Sequence, residues 1–393
     1  MKEKISNEQL RVRSNGESCQ TDDLHRLIAF FVSVIPFLHY VPSSFLLIVA
    51  GAAVMIIPRA RRLVTVHKEM FWVSMAIVMI SCVGACISKN PVGLAVTLGI
   101  FLILVLGCYL RSVMTPALTE YMADTVGCGS VFTFGIVIVQ RLVERNPGYR
   151  PTGWQWNANY LGAVAVLSTV IMLYRLFDGY GCDGSRALTP KRLFFAGAIL
   201  ANCATIMICE SRSSLLALMA SVAVLLLMKR QYILFGLGAV CGIGIWALGY
   251  FFPEAFGWAN SLTYVFTQRF DIWMCALRSA LQGPMEFIIG RGPMTYRHVW
   301  AEEGLYGADH AHNIFFDTLI NVGVIGVILY AALLVNILKN ALKMKKSGDR
   351  TAFEMTVTAL VTILVQGIAD VTIMWHQTAC LFILMCAYRS EKK

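Results

Sequence analysis

The chain has 393 residues, of which 57% are hydrophobic and only 14% are charged, and its mean hydropathy is +0.65. Soluble domains average about 45–50% apolar and about 25% charged residues, so this composition excludes a soluble protein and predicts an integral membrane protein. The net charge of +10 would suggest a nucleic-acid partner in a soluble chain, but its distribution here follows membrane topology, and no nucleic-acid partner is expected.

About twelve apolar segments follow one another along the chain. They lie near residues 27–41, 43–57, 70–87, 92–110, 126–140, 157–174, 193–209, 213–228, 231–251, 312–338, 352–369 and 372–388. A membrane helix takes about 20 residues, so most of these segments can span a bilayer. Pro36 and Pro42 interrupt the first two, which we expect to form a tilted or broken pair. The predicted fold is all-α: a polytopic membrane protein of about 12 transmembrane helices.

Lysine and arginine are unevenly distributed between alternate connections. With the N-terminus in the cytoplasm, most of the 33 Lys and Arg residues fall in cytoplasmic segments, including the runs at 59–62 and 339–346. Short cytoplasmic loops are enriched in Lys and Arg. An odd number of spans would place these basic connections on both sides of the membrane. We therefore predict a polar cytoplasmic tail over residues 1–26, a single membrane domain over residues 27–393, and both termini in the cytoplasm. The basic runs are expected to contact anionic membrane lipid.

One external connection, residues 141–156, carries several arginines and tryptophans. Arg145 and Arg150 break the charge bias, so they are candidate contacts for an acidic glycan or acceptor, with lipid headgroups as the alternative. Trp154 is a candidate for stacking on a sugar, although an interfacial aromatic belt is the alternative role of such residues.

The longest external connection is predicted over residues 252–311. It is rich in aromatic residues and arginine, which disfavours disorder. Within it, Arg269, Trp273 and Leu277 recur every four residues, which predicts a helix along the membrane interface with these side chains on one side. The Gly-Pro steps at 283–284 and 292–293 are expected to end helical structure, and Trp273 is a candidate glycan contact.

A histidine lies at the predicted external start of the tenth apolar segment. His312 and Asn313 precede Gly323 and Gly326, and eleven residues correspond to about three helical turns, so His312 and Gly323 are predicted to share a face. A small-residue strip below the histidine would let another helix approach closely. The helix N-terminus favours a neutral imidazole, which can accept a proton. A histidine bonded to a loop carbonyl is the alternative.

Two arginines on the same predicted side could hold an anion. Arg212 lies in a tight external turn with serines that could cap the next helix, whose N-terminus would add to an anion site. Arg269 opens the amphipathic part of the long loop. Guanidinium groups suit phosphate because they bind it bidentately and stay charged. The alternatives are a local Glu210–Arg212 pair and contact of Arg269 with lipid headgroups.

Metal and cofactor chemistry is weakly indicated. Asp309, His310 and His312 could ligate a metal, but their spacing is poor for it, and neither a metal nor a cofactor is expected. Asp309, His310 and Asn313 are instead candidate contacts for glycan or acceptor. Asp370 and His376 border the last external turn and could complete a site. The twelve cysteines lie mostly inside apolar segments and form no C-x-x-C pair, which argues against a disulfide framework.

Three short motifs resemble those of the O-antigen ligase and O-antigen polymerase superfamily. His312-Asn313-x9-Gly323-x2-Gly326 resembles its H-N-x9-G-x-x-G signature, and Ser211-Arg212 resembles its S-R turn before a span. Arg269-x3-Trp273, followed by Gly290-x-Gly292, resembles its R-x3-W…G-x-G stretch. The resemblance covers residues 193–338 and is faint before residue 150.

The resemblance implies a membrane glycosyltransferase of the GT-C type at the outer face of the bacterial inner (cytoplasmic) membrane. The implied substrate is a glycan on undecaprenyl pyrophosphate. Arg212 and Arg269 are implied to hold the pyrophosphate, and His312 is implied to serve at the transfer centre without a metal. Further proteins of a polysaccharide assembly pathway are expected as partners.

The sequence is compatible with several functions. A surface polysaccharide polymerase is favoured over an O-antigen ligase that transfers glycan to a lipid or protein, because nothing in the sequence indicates a docking surface for a large acceptor. A flippase or transporter is disfavoured because its charges would lie at mid-bilayer in broken helices, whereas these cluster at one face. A scaffold of an assembly complex would tolerate neutral substitution of the external arginines.

Overall fold

The computed structural model describes residues 18–144, 146, 148–178, 189–251, 261–302 and 308–390. Within these ranges every regular element is a helix, as the predicted all-α class requires. The α-helices are numbered here α1 Ser18–Val34, α2 Tyr40–Ile56, α3 Pro58–Val64, α4 Lys68–Ile87, α5 Pro91–Val113, α6 Pro116–Val143, α7 Ala158–Asp178, α8 Pro190–Ile208, α9 Arg212–Met228, α10 Tyr232–Phe251, α11 Ser261–Ala280, α12 Pro284–Ile289, α13 Tyr296–Glu302, α14 Ile314–Lys346, α15 Arg350–Gly367 and α16 His376–Ala387. Short 3-10 turns occupy Ile35–Phe37 and Thr372–Met374. Arg145 lies outside the described residues.

Every predicted apolar segment is helical, but the helices differ in their capacity to cross a membrane. Among the described residues, six helices are long and apolar enough to do so, namely α4, α5, α6, α7, α8 and α14. A seventh span results if α2 and α3, which meet at 96°, form one broken crossing. The apolar helices α9 and α16 and the segment Tyr232–Gly244 of α10 are shorter. The protein is therefore polytopic, and the number of twelve spans stays a prediction.

Several helix starts follow directly from the local sequence. The steps Asn90-Pro91, Thr115-Pro116 and Thr189-Pro190 each place a proline at the first helical position after a capping residue. The cap side chains accept backbone N–H groups of the first turn, at 2.8 Å for Asn90 and 3.2 Å for Thr115. Proline lacks the N–H that a helix start leaves unpaired and has a helical φ, so these steps fix where a membrane helix begins.

The helix α14 gives the bundle two distinct ends. It begins beside His312 and ends in a last turn with Lys343, Lys345 and Lys346. We call the end at His312 the histidine face and the opposite end the basic face. Along its length α14 packs against α4 and α15, while α9 packs against α15 and α7 packs against α8. The starts of α7, α9 and α14 and the end of α15 are thereby gathered near the histidine face.

The predicted continuous helix from His312 to Gly326 is wrong in two respects. The helix begins at Ile314, because Asn313 caps it by accepting the N–H groups of Phe315 and Phe316 at 2.9 and 3.3 Å. His312 precedes the cap with a φ of +48°. Gly323 has φ +63° and ψ −171°, so it interrupts α14. Counting helical turns from His312 to Gly323 therefore does not place them on one face.

Part of the long external connection fills the break in α14. The backbone N–H groups of Arg291 and Gly292 donate to the carbonyls of Ile320 and Asn321, at 3.1 and 2.7 Å. These bonds satisfy carbonyls that the interruption at Gly323 would otherwise leave unpaired. A Cβ on Gly323 would lie 2.4 Å from the backbone of Ile288. The predicted small-residue strip does allow a close approach, and the approaching element is α12 with the loop after it.

The Gly-Pro steps interrupt the long connection as expected. The helix α11 ends at Ala280, α12 begins at Pro284, and the Gly292-Pro293 step separates α12 from α13. A small apolar cluster joins this region to α14 through Cys275, Tyr296 and Ile320. The predicted external loop is therefore helical over much of its described length.

Candidate functional site

A buried carboxylate after α15 gathers two histidines at the histidine face. Oδ1 of Asp370 lies 3.5 Å from Nε2 of His310 and 3.4 Å from Nδ1 of His312. The same carboxylate accepts the N–H of Val371 at 2.8 Å and the side-chain amide of Asn159 at 2.7 Å. His310 and Asp370 are buried, whereas 27% of the His312 side chain is exposed, so His312 is the member that a substrate can reach.

The partners of Asp370 keep it ionised. Burial would raise its pKa, but the adjacent imidazole of His312 and the N–H of Val371 lower it, and so does His310 once that ring is protonated in acid, which together hold the pKa well below its usual range. Asp370 therefore provides a fixed negative charge at the centre of the group at neutral pH.

His310 is a neutral positioning group. Burial lowers its pKa to about 4, and the opposing effect of Asp370 does not restore it. Its Nδ1 accepts the backbone N–H of His312 at 3.2 Å, so the ring proton lies on Nε2. Nε2 in turn lies 2.6 Å from the hydroxyl of Tyr160. With both nitrogens engaged, His310 fixes the loop conformation at His312.

His312 presents one ring nitrogen outward. Its Nδ1 is buried towards Asp370 without a hydrogen bond among the described residues, so the exposed 27% of the side chain lies away from that nitrogen. The ring packs edge-on against His310 with centroids 4.4 Å apart. The positive φ of His312 is uncommon for a residue with a side chain, and it is sustained by the Asn313 cap on one side and His310 on the other. A carboxylate behind an exposed imidazole suits proton abstraction.

Two guanidinium groups without carboxylate partners adjoin this cluster. Arg212 is exposed at the first turn of α9, and Arg269 is half-buried on α11. Neither forms an ion pair within the described chain, and the alternative Glu210–Arg212 pair is not formed. Burial lowers the pKa of Arg269, the charge of Asp370 raises it and the charge of Arg212 lowers it, so Arg269 lies within electrostatic range of both residues. Two unpaired cations held together at one face are suited to an anion carrying more than one charge.

The start of α9 is also free of a side-chain cap. Ser211 occupies the cap position but makes no capping hydrogen bond, which corrects the expectation that the serines cap this helix. Its hydroxyl instead pairs with Ser214 at 2.8 Å and donates to Asn159 at 3.3 Å. The N–H groups of the first turn beside Arg212 therefore lack a side-chain acceptor among the described residues, which favours an anion there.

Residues 196–331 match the family model described as O-antigen ligase. This region is similar to the O-antigen ligase family. The match confirms the resemblance seen in the sequence, and it includes Arg212, Arg269 and His312. No curated protein sequence matches the chain significantly. Asp370 and Asn159, which complete the cluster, lie outside the O-antigen ligase region.

Arg150 links the turn before α9 to the start of α7. It donates to the carbonyls of Cys209 and Glu210 at 3.0 and 3.2 Å, and to the side chain of Asn159 at 3.1 Å. Because Asn159 also donates to Asp370, Arg150 ties the turn before Arg212 to the carboxylate. Its contact with glycan stays a prediction, and its guanidinium group serves here as a structural link.

The remaining predicted contacts differ in their distance from the cluster. Trp273 stacks on Phe316 with centroids 5.8 Å apart, one turn along α11 from Arg269, and its buried Nε1 has no hydrogen-bond partner among the described residues. Trp154 packs edge-on against Phe132 at 5.2 Å and shares no ring contact with the described histidines. Trp273 is thus the better placed of the two for a hydroxyl of a ligand.

Asp309 and Asn313 have structural partners. Asp309 pairs with Arg297 at 2.9 Å. Asn313 caps α14 and donates to the carbonyl of Ile368 at 3.1 Å, which holds the start of α14 against the end of α15. These contacts explain how the O-antigen ligase region meets the segment that carries Asp370.

Sequence reasoning gave no role to Tyr160 or Asn159 and left Asp370 as a residue that could complete a site. Tyr160 lies in an apolar helix, where its hydroxyl has no partner that the sequence would indicate. His376, which was paired with Asp370 in the same expectation, contacts Ser43 at 2.7 Å instead.

The donor atoms of His310, His312 and Asp370 lie within 4.8 Å of one another, close enough for a metal ion. Their chemistry does not fit one. His310 accepts a backbone N–H at Nδ1 and carries its proton on Nε2, so it has no free lone pair to offer. The charge of Arg269 also reaches His310 and would oppose a cation. The arrangement suits a proton-transfer group better than a metal centre.

A cavity of about 460 Å³ adjoins the cluster on the side of Asp309 and His310. Its polar end includes the aromatic rings of Trp156 and Trp375, which stack with centroids 6.3 Å apart. Further along, it is lined by apolar residues such as Leu47. The cavity therefore combines a surface for a sugar with a path for an apolar chain.

Proposed function

We propose that the protein is a membrane glycosyltransferase that transfers or polymerises undecaprenyl-pyrophosphate-linked oligosaccharide units at the outer face of the bacterial cytoplasmic membrane. Its O-antigen ligase region supports a ligase or polymerase type of activity on glycans. The observation that carries the proposal is that Ser211, next to Arg212, hydrogen-bonds to Asn159, which donates to Asp370, while the charges of Asp370 and Arg212 both act on Arg269. Neither arginine has a carboxylate partner among the described residues.

The two arginines bind the pyrophosphate of the donor. As the bond between the anomeric carbon and the phosphate oxygen breaks, the electron pair goes to the diphosphate and its negative charge grows. Preorganised guanidinium groups stabilise that charge, and the uncapped N–H groups at the start of α9 add to it. A diphosphate leaves as an anion and needs no proton, so the site does not require a general acid.

His312 acts as the general base towards the acceptor. The acceptor hydroxyl attacks the anomeric carbon, and its proton passes to Nε2 of His312. Asp370, which faces Nδ1 at 3.4 Å, holds the ring in place and stabilises the imidazolium that forms. The proton of the acceptor thus passes to His312, and the diphosphate leaving group is held by Arg212 and Arg269.

The cavity beside His310 supports an acceptor with both sugar and lipid parts. Its stacked tryptophans suit a sugar, and its apolar part suits a polyprenyl or acyl chain. A second lipid-linked repeat fits this combination, which favours polymerisation. An O-antigen ligase acting on a different lipid acceptor shares the donor chemistry and is the alternative.

The test is an assay with purified protein, reconstituted in vesicles with lipid-linked oligosaccharide. Arg212→Ala, Arg269→Ala and His312→Ala are expected to abolish new glycosidic linkages, while Lys89→Gln, an exposed cation near the same face, keeps them. Products that lengthen on undecaprenyl pyrophosphate indicate polymerisation, and transfer only to an added lipid indicates ligation. Normal linkage formation by all three alanine variants would contradict the site. Donor that changes leaflet without gaining linkages would indicate a flippase.

A further inference from the structure

A second, almost wholly apolar cavity of about 330 Å³ runs between α4, α5, α14 and α16. At the histidine face it is lined by Phe315, and towards the basic face by Met70, Leu334 and Cys386. It is separate from the cluster around Asp370, and the proposed glycosyl transfer gives it no role.

The end of this cavity at the basic face contains a buried cation. Arg111, in the last turn of α5, is only 6% exposed and lines the cavity. Its Nη1 donates to the carbonyl of Cys386 at 3.4 Å, but its Nε has no hydrogen-bond partner, and no carboxylate lies within ion-pair distance in the described chain. A charge buried at membrane depth is costly unless something neutralises it, so this guanidinium indicates an anion that is part of the native assembly.

More positive charge surrounds the same end. Burial and, to a smaller extent, the charges of Arg111, Arg389 and Lys343 lower the pKa of His67 to about 4. All three cations therefore lie near His67. Arg389 donates to backbone carbonyls, including that of Arg111 at 3.4 Å.

One carboxylate, that of Asp349, acts on Arg389 through its charge. Asp349 caps α15 and accepts the hydroxyl of Ser390 at 2.7 Å and the N–H of Ala352 at 3.0 Å, and these neutral donors leave its negative charge intact. It offsets one of the three cations near His67, so positive charge remains in excess there.

We propose that this cavity binds an anionic phospholipid, with the phosphate on Arg111 and an acyl chain in the apolar channel. Basic pockets between transmembrane helices are suited to phospholipid headgroups. The apolar lining suits the acyl chain of the lipid, and the unpaired Nε of Arg111 suits its negatively charged phosphate. A polyprenyl tail of the donor could fill the channel from the histidine face, but it would leave Arg111 without a counterion.

The test uses the full-length protein, purified and stripped of lipid, with native mass spectrometry to measure binding of phosphatidylglycerol, phosphatidylcholine and polyprenyl phosphate. We expect phosphatidylglycerol to bind about tenfold more tightly than phosphatidylcholine, because only the former keeps a net negative charge for the cations. Arg111→Gln should lose this preference. Arg62→Gln is the matched control, since Arg62 is an exposed arginine at the same face and changes charge equally.

A second measurement needs no variant. Phosphatidylglycerol should raise the melting temperature of the delipidated wild-type protein, and phosphatidylcholine should not. Equal binding of the two lipids by the wild type would overturn the proposal, as would a preference that survives in Arg111→Gln. Displacement of phosphatidylglycerol by polyprenyl phosphate, with no effect of Arg111→Gln on the latter, would assign the channel to the donor tail instead.

Discussion

Nδ1 of His312 lies 3.4 Å from Oδ1 of Asp370, and that nitrogen is buried although 27% of the side chain is exposed. The carboxylate therefore determines which edge of the imidazole faces inward and which faces a substrate. Asp370 lies well beyond the O-antigen ligase region, so the proposed base and the group that orients it come from separate parts of the chain.

Replacing Asp370 by Asn should reduce turnover by about 100-fold or more while changing the KM for donor little, because the imidazolium formed by His312 loses its stabilising charge. The measurement is the rate of glycosidic linkage formation at saturating donor. Asp309→Asn is the matched control, since Asp309 is an acidic residue of the same loop region that pairs with Arg297. An Asp370→Asn enzyme with wild-type turnover would remove Asp370 from the mechanism.

The protein should lose stability between about pH 6.5 and pH 4 because of His310. Its folded pKa is about 4, below the value of 6.5 for a solvated imidazole, so the unfolded chain binds the additional proton in this range and the free energy of unfolding falls as pH falls. The loss amounts to about 2–3 kcal/mol by pH 4. Melting temperatures in detergent at pH 7.5 and pH 5 measure it.

His310→Gln should reduce that pH dependence without abolishing it, because His67, whose pKa is also lowered to about 4, contributes a loss of the same sign. His298→Gln, a change of an exposed histidine in the same external region, should leave the dependence intact. The Gln variant can still accept the N–H of His312, which limits damage to the loop. An unchanged slope in His310→Gln would show that another group governs acid sensitivity.

Gly323→Ala should destabilise the protein, and Gly135→Ala should not. A Cβ at Gly323 would lie 2.4 Å from the backbone of Ile288 at a φ of +63°, whereas nothing lies within 4 Å of a Cβ at Gly135. Strain at the positive φ alone costs about 1–2 kcal/mol, and the clash with backbone adds to it. Thermal unfolding of the two purified variants provides the comparison, and equal melting temperatures would contradict the close approach.

Substitutions of Arg212 or Arg269 should weaken pyrophosphate binding even when the positive charge is kept. Arg212→Lys and Arg269→Lys keep the charge but lose the bidentate fork, so each should weaken inhibition by inorganic pyrophosphate by about tenfold, and alanine at either position should weaken it more. Lys89→Gln serves again as the control. Pyrophosphate inhibition that is unchanged in both alanine variants would show that the anion binds elsewhere.

Much of the helical architecture follows from local sequence, because apolar length and cap-proline steps act over a few residues. The apolar segments are all helical, and Thr115-Pro116 and Thr189-Pro190 begin helices where a capping residue and a proline adjoin. The interruption at Gly323 was not predictable from periodicity. It exists because a distant loop supplies the N–H groups of Arg291 and Gly292 to α14.

The candidate site was predictable only in part for the same reason. His312, Arg212 and Arg269 occur in short motifs, so the sequence identified them. Asp370 and Tyr160 became partners of the histidines through packing of α7 and α15 against the rest of the bundle, which no spacing along the chain records. The role of a hydroxyl within an apolar helix can be assigned only when the residue that packs against it in the folded protein is known.

The backbone bonds from Arg291 and Gly292 into the break of α14 also limit how the protein can move. They fasten the segment that follows Arg269 to the helix that follows His312. While these bonds hold, the spacing between the proposed phosphate-binding Arg269 and the proposed base His312 is fixed at this junction.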